Sequence, residues 1–99
     1  MKKRLDPLLH NELRLAVMSL LISLEKADFN FLLKETGATR GNLSVQLTKL
    51  KEAGYLSIEK SFKDNYPLTT CQIESQGVEA FEAYVEALQS FLKPGGKKS

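Results

Sequence analysis

Apolar residues recur at helical spacing along most of the chain and switch to strict alternation only once, between Tyr55 and Ile73. The first helical stretch opens at Asp6-Pro7, a capping acceptor followed by a residue already bent for the first turn, and the spacing predicts a helix to about Leu24. At 100° per residue, Leu13, Val17, Leu20 and Leu24 share one stripe, flanked by Leu9 and Ala16. Leu8, Leu15, Met18 and Ile22 form a second stripe on nearly the opposite side. Two apolar faces place a helix either at the centre of its own domain or between two chains, since a surface helix needs only one. In so small a domain, sharing with another chain is the favoured reading.

Asp28 is placed to cap a short second helix, Phe29–Thr36, that buries Phe29, Leu32 and Leu33 and ends at Gly37 in a left-handed turn. Gly37-Ala38-Thr39 then leads to a third helix, from Arg40 to about Ala53, stopped by Gly54. Two helices joined by so short a glycine-containing turn make a helix-turn-helix. Leu43, Leu47 and Leu50 mark the inner face of the third helix. Gly41, Ser44, Val45 and Thr48 point away from it, with Asn42 and Lys49 at the edge and Glu52 near the end. Tyr55–Phe62 alternates as a strand with Leu56, Ile58 and Phe62 to one side, Lys63–Pro67 is turn chemistry, and Leu68–Ile73 is the returning strand. Ser75 opens a last helix to about Leu92. Its stripe is Val78, Phe81, Val85, Leu88 and Leu92, broadened by Tyr84 and Phe91. Residues 93–99, KPGGKKS, read as a disordered basic tail. The fold class expected is mainly α with one small β-hairpin (α+β).

Size changes this picture in one respect. A chain of 99 residues holds one domain and buries a limited share of its surface, so a partner often completes its stability. Apolar content of 42% and charged content of 26% are those of a globular protein. The formal net charge of +2 permits nucleic-acid binding through a local patch without announcing it. The lone cysteine, Cys71, cannot form an internal disulfide and fits a reducing compartment. No apolar run is long enough to span a bilayer, and Asp6, His10, Glu12 and Arg14 interrupt any export signal, so a cytoplasmic location is expected.

The stretch TRGNLSVQLTKLKEAGYLSIEKSF, with PLTTCQI beyond the turn, resembles the small winged-helix transcriptional regulators of the MarR/ArsR broad class. It is most similar to the roughly hundred-residue dimeric family in which GNLS-x-x-L-x-K-L-x-x-A-G-Y precedes a wing ending in P-x-T. The resemblance runs from Leu5 to Leu92 and includes Gly77, Phe81 and Tyr84 in the last helix. It implies a homodimeric DNA-binding regulator paired through its first and last helices. The family's wing carries arginines where this chain has Asp64 and Asn65. Ile73-Glu74 replaces the usual Leu-Thr pair before the last helix.

A helix that enters the major groove needs short polar side chains, a methyl group or two and flanking cations. The outward face of the third helix has them. Asn42, Ser44 and Thr48 can read base edges, Val45 can meet a thymine methyl, and Gly41 allows close approach. Arg40 at the start can take guanine or a phosphate, with Thr39, the cap, beside it in the candidate DNA-binding set, and Lys49 and Lys51 can reach phosphates. On the wing, Lys60, Lys63, Asn65 and Tyr66 can straddle the backbone or dip into the minor groove. Pairing is expected through Leu8, Leu15, Met18 and Ile22 of the first helix and Phe81, Tyr84, Val85, Leu88, Phe91 and Leu92 of the last. A two-fold pair would set two reading helices roughly 34 Å apart on a near-palindromic site of double-stranded DNA.

The expected organisation is a DNA-binding unit over 1–74, a dimerisation helix over 75–92 and the tail. Two other uses of such a chain are a winged helix that docks protein, and a ligand-responsive regulator with its pocket at the dimer interface. His10 is read as a surface residue and Cys71 as a small buried hydrophobe. The chain cannot assemble a cluster of metal ligands, and it has no phosphate loop, nucleophile–base pair or paired carboxylates, so neither enzyme nor cofactor is implied.

Overall fold

The computed structural model describes residues 4–92. Among these, the chain forms α1 (Glu12–Leu24), β1 (Lys26–Asp28), α2 (Phe29–Thr36), α3 (Arg40–Glu52), β2 (Leu56–Lys63), β3 (Tyr66–Ile73) and α4 (Ser75–Leu92). The residues 93–99 read as a basic tail lie outside the described range.

α1 starts later than the Asp6-Pro7 signal predicts. Asp6 caps an isolated turn instead: its carboxylate accepts from the Leu8 amide at 2.9 Å and its carbonyl from the His10 amide at 2.8 Å. This turn drives Leu9 into the core, fully buried. Asn11 is extended and caps the helix proper, its side chain accepting from the Arg14 amide at 2.9 Å. Of two cap candidates, the second continues, because the first turn is bent to bury Leu9.

Val17, Met18 and Leu21 of α1 are buried in the protomer itself, with Leu13, Leu15 and Leu20 packed beside them. The helix is therefore central in its own domain. Met18, expected at a pairing surface, belongs to this core and offers nothing to a partner. Glu25, at φ 71°, ends the helix and turns the chain into β1. That strand was not foreseen. Three residues are too few to show a period, and the strand exists through its pairing: Ala27 opposite Cys71 and Asp28 opposite Thr70.

Asp28 also caps α2, accepting from the Phe31 amide at 2.8 Å, and Gly37 closes α2 in the left-handed conformation at φ 70°. Thr39 caps α3, accepting from the Asn42 amide at 3.1 Å. Leu43, Leu47 and Leu50 bury the inner side of α3.

The sheet order is β1-β3-β2, antiparallel throughout. β2 and β3 meet around Asp64-Asn65, both at positive φ (52° and 67°), which is the two-residue turn whose twist matches paired strands. The turn is tighter than the five-residue reversal expected, because Lys63 and Tyr66 pair directly.

α4 lays Gly77, Tyr84 and Ala87 against the core, with Ala80, Phe81 and Leu88 beside them. This line is rotated from the predicted stripe, and Val85 and Leu92 are exposed. The physical reason is Gly77. An added Cβ there would lie 2.1 Å from the Tyr55 carbonyl oxygen, so only glycine lets the helix come this close. Tyr84, expected at the pairing surface, is buried in the protomer, and its hydroxyl lies 2.9 Å from His10 Nδ1.

Candidate nucleic-acid interface

The three leucines that fix α3 to the core leave its opposite side in solvent. Arg40, Gly41, Asn42, Ser44, Val45, Thr48, Lys49 and Lys51 are all exposed, Val45 to 52%. The helix therefore projects hydroxyl, amide, methyl and ammonium groups from one rigid rod. Space is open around Gly41, where an added Cβ would meet nothing within 4 Å.

Several of these groups are already oriented. The Thr48 hydroxyl donates to the Ser44 carbonyl at 3.0 Å, so its oxygen keeps capacity to accept a further hydrogen bond. Arg40 spans the helix-turn-helix: its guanidinium lies 5.3 Å from the centre of the Phe29 ring, and both terminal nitrogens approach Asn30 Oδ1 at 3.4 Å. Stacking holds the planar cation at the junction of α2 and α3 without neutralising it.

Asn42 is held by a residue the sequence reading passed over. Gln46 Nε2 donates to Asn42 Oδ1 at 2.9 Å, and Gln46 Oε1 accepts from Arg14 of α1, which also donates to the Leu8 backbone carbonyl. The amide of Asn42 is thus oriented from α1 through Gln46, with its own NH2 still available. The four-residue step from Asn42 to Gln46 was visible as a helix-face pair; the anchoring by Arg14, 32 residues away, was not.

A cleft of about 360 Å³ separates α3 from the hairpin, with Arg40, Ser44 and Thr48 on one wall and Lys60, Pro67 and Thr69 on the other. Lys60, Lys63, Asn65 and Tyr66 are exposed along the hairpin; of the candidate residues the cleft brings together Arg40, Ser44 and Thr48 of α3 and Lys60 of the hairpin, while Lys63, Asn65 and Tyr66 lie beyond it toward the hairpin's end. Thr39 lies at the helix start and is occupied as its cap. Phe62, read as a core-side residue, is 77% exposed at the hairpin's end.

Away from this side, Leu8, Leu15, Ile22, Phe81 and Leu88 are half-buried, and Val85, Phe91 and Leu92 are exposed, the last two to 57% and 68%. Cys71 is buried, and burial with Asp28 nearby pushes its thiol up to about 11. The described residues contain no group of three or more His, Cys, Asp or Glu able to hold a metal, and no helix long and apolar enough to cross a membrane.

The helix-turn-helix is followed by a hairpin, with the second helix exposed beside it, and residues 13–92 match the family described as a winged helix DNA-binding domain. The chain belongs to that winged helix DNA-binding domain family. It is 36% identical over 77 residues to an uncharacterized protein of Methanocaldococcus jannaschii, covering 77% of this chain and 84% of that one. The transcriptional regulator homologue from Pyrococcus horikoshii OT3 superposes with a TM-score of 0.81 at 28% identity, over 86% of this chain and 84% of that chain. NadR, crystallised with 4-hydroxyphenylacetate, shares the fold at a TM-score of 0.69 and 21% identity, over 87% of this chain and 63% of its own. Family and fold are those of winged-helix transcriptional regulators. The β2–β3 hairpin is the wing.

Proposed function

We propose that this winged-helix protein is a sequence-specific transcriptional regulator that binds duplex DNA in the cytoplasm as a homodimer. The observation that carries the reading is the solvent-facing side of α3: the polar Asn42, Ser44 and Thr48 with one exposed methyl-bearing residue, Val45, flanked by Arg40, Lys49 and Lys51, on a helix anchored by three buried leucines. In the major groove, Ser44, Thr48 and Asn42 meet base edges, and Val45 meets a thymine methyl. Arg40, Lys49 and Lys51 set the position on phosphates, with Lys60, Lys63, Asn65 and Tyr66 of the wing following the backbone. Thr39 acts at one remove, by fixing where α3 begins.

Pairing is supported by the apolar surface left on α4 and α1 after each protomer has filled its core. Val85, Phe91 and Leu92 are exposed, and Leu8, Leu15, Ile22, Phe81 and Leu88 are only partly covered. A two-fold arrangement buries these surfaces and presents two α3 helices to successive turns of one DNA face.

Selection of bound sequences from random duplex DNA by the full-length protein tests the reading. A two-fold-symmetric site with half-sites about 10 base pairs apart is expected. Arg40→Ala, which removes an exposed side chain, weakens binding to that site about tenfold while the protein stays folded. No enrichment over random sequence, or enrichment of single asymmetric sites only, overturns it.

A further inference from the structure

The wing has an end that charge does not explain. Lys63 and Tyr66 pair beside a turn of Asp64 and Asn65, so the tip carries no arginine and one carboxylate, a poor match to phosphate. What projects there is aromatic: Phe62 is 77% and Tyr66 74% exposed. Register separates the two. Phe62 lies opposite Pro67, and alternation puts both on the strand face of Leu56, Ile58 and Lys60. Leu56 is buried in the core, and Lys60, Pro67 and Thr69 line the cleft opposite Ser44 and Thr48 of α3. Phe62 therefore continues the core face of the wing past the protein's edge, on the side that α3 presents. Tyr66 shares the other face with Lys63.

Phe62 lies four residue steps along the strand from Ile58, packed on the core, which at ~3.3 Å per step carries the ring about 13 Å outward. That reach is about twice the roughly 6 Å width of a minor groove. Pro67, its cross-strand partner, stands on the same face, where β3 has run beyond its last β1 partner at Thr70. An exposed apolar side chain on a strand, flanked by lysines, is the chemistry that parts a base step from the minor-groove side.

We propose that Phe62 is a DNA wedge: it enters the minor groove beside each half-site, partly unstacks one base step and bends the duplex, while Lys60 and Lys63 hold the neighbouring phosphates. The proposal rests on the DNA-binding reading of α3 and adds to it the means by which a wing without arginine contributes. Because unstacking is easiest at pyrimidine–purine steps, the flank met by the wing favours TA or CA/TG without a hydrogen bond to either base.

The test uses full-length protein and the duplex recovered by selection, carrying 2-aminopurine in the flanking steps and a donor–acceptor dye pair at its ends. Wild-type protein raises the 2-aminopurine emission and shortens the end-to-end distance. Phe62→Ala lowers affinity about tenfold, the scale of one lost aromatic–base stack, and abolishes both signals. Its salt slope stays that of wild type, since no charge has been removed. Phe62→Leu, still an apolar wedge, keeps most of the bend. Wild-type protein that binds without bending or unstacking overturns the wedge and leaves the α3 reading standing, as does unchanged affinity in Phe62→Ala. Loss of the dimer in Phe62→Ala, seen by light scattering, assigns the ring to a protein contact and also overturns it. No binding of wild-type protein to any duplex removes the α3 reading, and the wedge with it.

Discussion

Gly77→Ala isolates the contact that seats α4 on the winged domain. The Cβ added at position 77 would lie 2.1 Å from the Tyr55 carbonyl oxygen, 2.9 Å from its carbon and 3.0 Å from Met18 Cε. Ordinary contact begins at 3.4 Å, so the helix and the Tyr55 backbone must part by about 3.4 − 2.1 = 1.3 Å. Neither side yields by turning a side chain. The Tyr55 carbonyl also accepts from the Glu74 amide at 3.1 Å, one residue before α4 begins. Overpacking costs about 1–3 kcal/mol, and weakening that hydrogen bond adds about 1 kcal/mol. Alanine's helical preference returns about 1 kcal/mol. The net expectation is a loss of about 1–3 kcal/mol, which in a domain this size lowers Tm by roughly 5–20 °C. Thermal and urea melts followed by far-ultraviolet circular dichroism measure it. A Tm equal to or above that of wild type would refute the reasoning, because helix preference would then outweigh a contact that cannot be as close as 2.1 Å.

The same substitution at Gly41 carries the opposite sign for stability. Nothing lies within 4 Å of its added Cβ, so Gly41→Ala should stabilise the fold by about 0.5–1 kcal/mol while lowering DNA affinity, measured by fluorescence anisotropy, because the methyl stands on the stripe of Ser44, Val45 and Thr48. Burial, followed by the hydrogen bond its hydroxyl donates to Asp6 at 2.5 Å and the charge of that carboxylate, pushes the Tyr55 phenol up to about 12. A proton held more tightly in the folded state means this contribution to stability is complete below pH 10 and drains away as pH rises to about 12. Phenolate absorbance should show a component near 12 that is absent in Tyr55→Phe and moved only partway back in Asp6→Asn, since burial is the larger cause. Phe91→Glu, at an exposed position near the end of α4, should shift the mass in light scattering to that of a monomer and remove the dependence of Tm on protein concentration that a dimer shows.

The elements that could be read from the chain are those whose ends are written in local chemistry. Asp28, Gly37 and Thr39 cap or close α2 and α3 as expected, because each acts within three or four residues of itself. β1 escaped notice because a three-residue strand has no period and owes its existence to Cys71 and Thr70, more than forty positions away. The start of α1 was misplaced because Asp6 and Asn11 are both competent caps, and only the burial of Leu9 decides between them. The stripe of α4 was rotated because apolar spacing weighs large side chains. Here, the closest approach is made by the residue with none, Gly77. Met18 and Tyr84 were displaced from the pairing surface for related reasons: each fills the space that α1 and α4 leave within one protomer.

On the interface, the outward set of α3 was legible from period alone. Its organisation was not. Arg14 reaches Gln46, and through it Asn42, only because α1 crosses beside α3. Phe62 follows the alternation of its strand faithfully, but the core ends before the strand does. A side chain on the buried face of a strand is buried only as far as something covers it.

Guanine N7 lies on the floor of the major groove, so its protection from methylation by dimethyl sulfate reports directly on what enters that groove. With full-length protein on its selected duplex, protection should appear as two patches on one face of the DNA, centred about 10 base pairs apart. Thr48→Ala combined with Ser44→Ala should weaken both patches together. Uniform reactivity at every guanine under saturating protein, or protection unaffected by those substitutions, would contradict entry of the exposed side of α3 into DNA.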